Sequence, residues 1–471
     1  MKRFLTIILA LAMVLSLCAC SSSETPPETT EEAPVQEDLL IGFGRANITP
    51  DFSVGIGGYS DYETRRSEGH LDNLYITCIA ATQGEETILL FNADNLAMSA
   101  AYLKKVREAV SPATSIPADH IVAYATHTHS APSLTTGDAE GKQYLQLFLD
   151  RAVKAAQVAL EDRSPSKIFT ATAELVNKNA VRHYKMDDGT YAGSNFGDFS
   201  KTIVGHATEG DSRMVLIKFD RIDKYKQDIV LANWQAHADH AKANGYRMLS
   251  ADHPGSMRTK FESQTGMLFT YITGASGNQN PDSKIESEKH GLGMVDYGQM
   301  LADEALKMLP ELKEVSNNGV AISTEIYKAE IDHSWDHMLE QANEVYNLWK
   351  SEGKSKGDAL GKTYGFTSSY QARAIRTRAK KGESENFELH AFRIGDIGFI
   401  SSHCEMFSAC GLYVREHSPF ETTFICTGNS GYIPDEAAYD YRSYEADTGM
   451  YAKGTCENMA KTFVEMLKGL K

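Results

Sequence analysis

From Leu39 onward, short runs of consecutive apolar or β-branched residues alternate with stretches in which apolar residues recur every three or four positions. Residues 76–81, 87–91, 120–125, 214–219 and 229–234 have the length and β-branched content of strands. Ala101, Leu103, Val106 and Val110 make one face of a helix over 100–110; Tyr144, Leu147, Leu149, Val153, Ala156 and Leu160 make another over 143–160. Val295, Met300, Leu301, Ala305, Leu306 and Leu309 mark a third over 295–309, and Met459, Phe463, Met466, Leu467 and Leu470 a last one. The order strand, strand, helix, strand, helix predicts an α/β fold of layered mixed β-sheets flanked by helices. No composition break divides residues 39–471, which read as a single catalytic domain. Residues 350–362, KSEGKSKGDALGK, read as a polar loop between helices, and the run Arg373, Arg376, Arg378, Lys380, Lys381 as a solvated helix face.

The first 38 residues follow a different pattern. Lys2 and Arg3 precede an apolar run, Phe4 to Leu17, too short to span a bilayer comfortably, which is the layout of a secretion signal. Its end, Leu17-Cys18-Ala19-Cys20, resembles a bacterial lipobox, implying a lipoprotein signal peptide over 1–19 and acylation of Cys20. Residues 20–38 then hold six acids, no bases and three prolines, the makings of an extended tether. The expected location is extracytoplasmic, lipid-anchored to the bacterial cell membrane.

Composition narrows the function classes. With 42% hydrophobic and 23% charged residues, disorder throughout is excluded. The formal charge is −16, and residues 39–471 alone retain −12, which argues against nucleic acid as a partner and against attraction to anionic headgroups. Any lipid substrate is therefore expected to be met through a pocket; the sequence identifies no protein partner. Beyond Cys18 and Cys20, five cysteines remain, without metal-ligand spacing, and read as small buried residues.

The densest chemistry is Thr126-His127-Thr128-His129-Ser130, placed where a strand ends and where ligands collect in α/β folds. Imidazole is both the commonest metal ligand and the best proton carrier near neutral pH, though two histidines alone are equally two polar loop residues. A second strand runs through Asn233-Trp234 into His237, and a third, through Phe399 to Ser402, into Glu405. A catalytic zinc needs about three protein ligands and an open position. The last cluster runs from Tyr432 through Tyr439, Tyr441 and Tyr444 to Glu445.

Gly42-Phe43-Gly44-Arg45-Ala46-Asn47-Ile48-Thr49-Pro50, Gly57-Gly58-Tyr59, the THTHS segment, Asn-Trp…His and the Tyr432–Glu445 segment stand in the order seen in the neutral/alkaline non-lysosomal ceramidases, which the chain resembles over most of residues 40–450. The resemblance implies a zinc amidohydrolase acting on a small amide or lipid-amide substrate, with one Zn2+ per chain held by His127, His237, Glu405 and Tyr432. It implies substrate and oxyanion contacts for His129 and Tyr444. Three departures qualify it. The family's active-site Ser is Asn280 here, in Gly277-Asn278-Gln279-Asn280-Pro281-Asp282, which leaves no serine nucleophile at that position. A substrate-binding Arg has become Lys178, which keeps charge without the planar fork. The family's C-terminal immunoglobulin-like domain has no counterpart in the sequence. The resulting expectation is hydrolysis of an N-acyl amide by metal-activated water, with Asn280 orienting substrate. Alternatives are a non-catalytic lipid- or sugar-binding lipoprotein with a decayed site, and a zinc hydrolase of esters or N-acetyl amino sugars.

Overall fold

The structure is a computed structural model that describes residues 38–59, 64–135, 137–428 and 430–471. The expected signal peptide, nearly all of the expected tether and Cys20, the expected acylation site, lie outside the described residues. Asp38–Lys471 form one compact unit. Mixed β-sheets flanked by helices make up its layers, as the alternation of patterns implied.

The largest sheet has nine strands and begins with the chain's first run, Leu40–Asn47, paired antiparallel to Tyr75–Gln83. Glu86–Ala93 extends it, and Ile121–Ala125 adds in parallel at the edge. On the other side lie Ser164–Glu174, Arg213–Arg221, Ile229–Trp234 and the parallel Leu268–Thr273. A second sheet holds Val320–Glu330, Ser384–Ile394, Ile397–Ser402 and Thr422–Thr427, the last pair parallel. Phe219, Leu231, Ile272, Phe392, Phe399 and Phe424 interleave between the two sheets in one buried cluster. Helix Ala139–Glu161 covers the outer face, and Gly42 and Gly44 bring the strand backbone against it: a Cβ at Gly44 would lie 2.0 Å from the Ala155 carbonyl oxygen. That contact explains two glycines in a strand. The five cysteines of the described residues are free and buried.

Two expectations are corrected. Residues 350–362 are not a loop, since Leu339–Glu352 is followed at once by helix Lys354–Thr363. The glycines that suggested a loop are packing positions: a Cβ at Gly357 would meet the Trp349 Cβ at 2.7 Å, and Gly361 faces Phe366. Nor is the basic run wholly solvated, because Arg378 is buried, 3.0 Å from Asp332, and donates to the Gly449 carbonyl. Helical spacing distributes its charges around Ser369–Arg378, so one side must enter the interior.

Helix Ala100–Thr114 is tied to the second sheet by Arg107, which donates to Glu388 at 2.6 Å beside His390. The hydrogen bond from His390 and the Arg107 guanidinium hold the Glu388 carboxyl down at about 2. Its depressed value stabilises the fold above the unfolded value of about 4.3 and is lost as pH falls toward 2. Allowing for partial exposure, the contribution is on the order of 2 kcal/mol. Unfolding free energies at pH 6 and pH 3 should therefore differ less in Glu388→Gln than in the parent, and an identical pH dependence would refute the assignment.

Candidate metal centre

Five strand ends meet at one place. Ile121–Ala125 runs into His127, Ile229–Trp234 into His237, Leu268–Thr273 into Gly277, Ile397–Ser402 into Glu405, and Thr422–Thr427 into the segment of Tyr432. Backbone hydrogen bonds lock these exits together: His129 N–H donates to Ala238 at 2.9 Å, His237 N–H to Gln279 at 3.0 Å, and Gly277 N–H to Met406 at 2.8 Å. Glu405–Met406 and Tyr432–Ile433 form a two-residue parallel pair in which Glu405 is opposite Tyr432. His127 has φ +64°, a left-handed conformation that a non-glycine residue holds only where its surroundings impose it. Gly58, at φ +104°, packs on the neighbouring histidine, and a Cβ there would stand 2.7 Å from the His129 Cβ.

At the centre the donor atoms point at one another. The Nε2 atoms of His127 and His237 are 3.2 Å apart, and Glu405 Oε2 lies 3.3 Å from the first and 3.5 Å from the second. His129 Nε2 is also 3.2 Å from His127 Nε2. The other ring nitrogens settle the tautomers. His127 Nδ1 donates to the Leu96 carbonyl at 2.8 Å, and His237 Nδ1 to the Ser276 carbonyl at 2.9 Å. Carbonyls only accept, so both Nδ1 atoms carry protons, and the Nε2 atoms are the ones turned to the centre. Glu405 Oε2 is buried there without a hydrogen-bond partner. Donor atoms gathered in this way could hold a metal ion. Ligands 2.0–2.1 Å from a tetrahedral zinc lie about 3.3–3.4 Å apart, close to the edges of this triangle.

Electrostatics agree with that donor set. Burial acts to raise the Glu405 carboxyl, but the adjoining His127 and His237 outweigh it and hold the group well below the usual carboxylate range. Burial, with Arg182 nearby, lowers His237, which keeps it in the neutral, ligating form. Burial also lowers His129, whose Nδ1 has no partner. Among the described residues, His127, His129 and His237 are the group of three that could hold a metal ion.

No protein-family model matches the chain, and no curated protein sequence does. Solved structures do. The neutral ceramidase from Pseudomonas aeruginosa superposes with a TM-score of 0.65, at 16% identity, over 92% of this chain and 75% of its own. A structure described as ceramidase complexed with C2 gives 0.64 at 16% identity, covering 92% of this chain and 76% of that one. The chain has the neutral ceramidase fold.

Within that ceramidase fold the remaining predicted residues are unequally placed. Tyr444 opens helix Tyr444–Thr448, with its ring 6.2 Å from that of Tyr432, and burial followed by the charge of Glu445 pushes its hydroxyl up to about 12. Asn280 pairs with Ala180 beside the His237 exit, and its side-chain amide makes no hydrogen bond to a described residue. Lys178 contributes its carbonyl, which accepts from Tyr297 at 2.6 Å, and its ammonium forms no ion pair among the described residues.

The base that reaches the centre is Arg182, which sequence reasoning missed. Its buried guanidinium donates to Glu445 at 2.6–2.9 Å, to the Gly277 carbonyl at 2.9 Å and to the Tyr432 hydroxyl oxygen at 3.3 Å. Glu445, fully buried, also takes a hydrogen bond from His183 Nε2 at 2.9 Å, while His183 Nδ1 meets the Tyr441 hydroxyl at 2.8 Å. The network thus fixes Tyr432 from behind. Its only sequence signal was the Arg-His pair after Ala180-Val181, which has no local pattern to distinguish it.

Proposed function

We propose that the protein is a zinc-dependent hydrolase that cleaves an N-acyl amide bond of a lipid-like substrate by metal-activated water. The observation that carries this reading is the triangle of His127, His237 and Glu405 donor atoms, with edges of 3.2–3.5 Å. The neutral ceramidase fold and the motifs of the sequence support the amide as the bond attacked, at the level of analogy.

His127, His237 and Glu405 would hold the ion, with Tyr432 as a fourth ligand beside Glu405. Bound zinc supplies Lewis acidity and brings the pKa of a water toward ~7. The protein does the rest. Leu96 and Ser276 fix the two imidazoles through their Nδ1 protons, so that the rings need no reorientation. His129, neutral and with a free Nδ1, takes up the proton of the attacking water and passes it to the leaving nitrogen. Tyr444 keeps its hydroxyl proton at neutral pH and donates a hydrogen bond to the carbonyl oxygen as negative charge develops there. Asn280 offers an amide to orient the substrate in place of the family's serine. The membrane location follows from the proposed acylation of Cys20.

The test is metal content by mass spectrometry together with fatty-acid release from short-chain ceramide and related N-acyl amides. About one zinc per chain, with hydrolysis lost on chelation and restored by zinc, is the expected result. Undiminished hydrolysis by metal-free protein would overturn the proposal.

A further inference from the structure

Residues 339–381 carry nine lysines and arginines against four acids in a chain of formal charge −16. They fold as three helices, Leu339–Glu352, Lys354–Thr363 and Ser369–Arg378, around a small core of Ala342, Val345, Phe366, Ala372 and Ile375. This unit is inserted between the paired strands Val320–Glu330 and Ser384–Ile394. Its cationic face adjoins the candidate site. The Tyr370 ring lies 5.6 Å from that of Tyr444 and 5.2 Å from that of Trp349. The Lys354 ammonium sits 4.8 Å above Tyr370, and the Arg373 guanidinium stands 5.5 Å from Tyr370 and 5.8 Å from Trp349. Lys354 and Lys362 border one surface depression. Arg373 and Lys362 are exposed and form no ion pair among the described residues.

We propose that this helical face docks the protein on an anionic lipid bilayer, with the Tyr444 side of the candidate site turned toward the membrane. The inference rests on the reading that the substrate is a lipid amide. It revises the expectation, drawn from net charge, that headgroups would not attract the chain: the charge is segregated, and the acidic remainder of the surface would orient this face toward the membrane. Cations held over Tyr and Trp rings suit the headgroup layer, where amphipathic aromatic residues concentrate. The large exposed hydrophobic residues of the described surface lie outside residues 339–381. Contact is therefore electrostatic and shallow, and it weakens with salt as the screening length shortens.

The experiment uses the mature chain from residue 20 with Cys20→Ser, so that no acyl chain contributes, and vesicles of phosphatidylcholine with or without 30% phosphatidylglycerol. Co-sedimentation with the anionic vesicles alone, abolished by 0.5 M salt and reduced at least tenfold in Lys362→Glu/Arg373→Glu, is the expected result. The milder Lys362→Gln/Arg373→Gln should show an intermediate loss, and unchanged thermal unfolding in either variant excludes misfolding as the cause. Equal sedimentation with neutral vesicles, none with anionic vesicles, or full binding by the charge-reversed protein would overturn the proposal. Displacement by soluble inorganic phosphate at millimolar concentration would also overturn it, in favour of a free-anion site. Hydrolysis of a short-chain N-acyl amide in free solution should change less than twofold in the variants. Its absence from the parent would refute the hydrolase reading while the vesicle result still decides the docking surface.

Discussion

Alanine at His127 is expected to leave the protein folded, metal-free and inactive. Removing this imidazole takes away the donor atom with the most short contacts at the centre, 3.2 Å from both His129 and His237 and 3.3 Å from Glu405. Loss of an outer partner of a ligand typically costs 10–100-fold in affinity or activity, so loss of the ligand itself should exceed about 100-fold in both. Because His127 sits at φ +64°, alanine keeps the backbone strain of about 1 kcal/mol that the histidine already bears. Glycine does not, and His127→Gly separates the two effects: it should be at least as stable as His127→Ala and equally free of zinc. Zinc per chain, hydrolysis rate and urea midpoints on the three proteins make the comparison. A His127→Ala protein that keeps its zinc would remove this residue from the ligand set.

The second large effect is expected from Arg182→Met. The substitution leaves Glu445 fully buried with its hydrogen bond from His183 but without its guanidinium, and breaking a buried ion pair costs about 3–5 kcal/mol. It also frees Tyr432 from its only described side-chain hydrogen bond, so zinc affinity should fall along with stability. Arg182→Met/Glu445→Gln should recover much of the lost stability, because the stranded charge is gone, while zinc affinity stays low. Chemical denaturation of the single and double variants gives the coupling directly. A single variant less than 1 kcal/mol below the parent would mean that the pair does not brace the centre.

These two residues mark how far the sequence could be read. His127, His237 and Glu405, which the structure brings within 3.5 Å of one another, stand out in the sequence because each lies two or three residues beyond an apolar run of strand length, and strand exits are where α/β folds gather their chemistry. The strands 76–81, 87–91 and 229–234 fall within the observed Tyr75–Gln83, Glu86–Ala93 and Ile229–Trp234 for the same reason: a strand buried on both faces reads as a continuous hydrophobic run. Arg182 and Glu445 were not legible, since an ion pair 263 residues apart leaves no periodicity at either end. Lys178 drew attention as the matched base, four positions before the guanidinium that reaches Tyr432. The helix Lys354–Thr363 was hidden by glycines whose role is close packing, a property of the partner helix and not of the segment itself.

The convergence of strand exits also has a kinetic meaning. Donors at positions 127, 237 and 405 share no local segment: Glu405 and Tyr432 are 27 residues apart, but both histidines join them only through chain closures of more than a hundred residues. Such long-range topology folds slowly, and no fragment of the chain can assemble the centre in advance. Zinc uptake during refolding should accordingly trail the recovery of secondary structure and coincide with the last step, which would make the ion a clock for completion of the fold and not its seed.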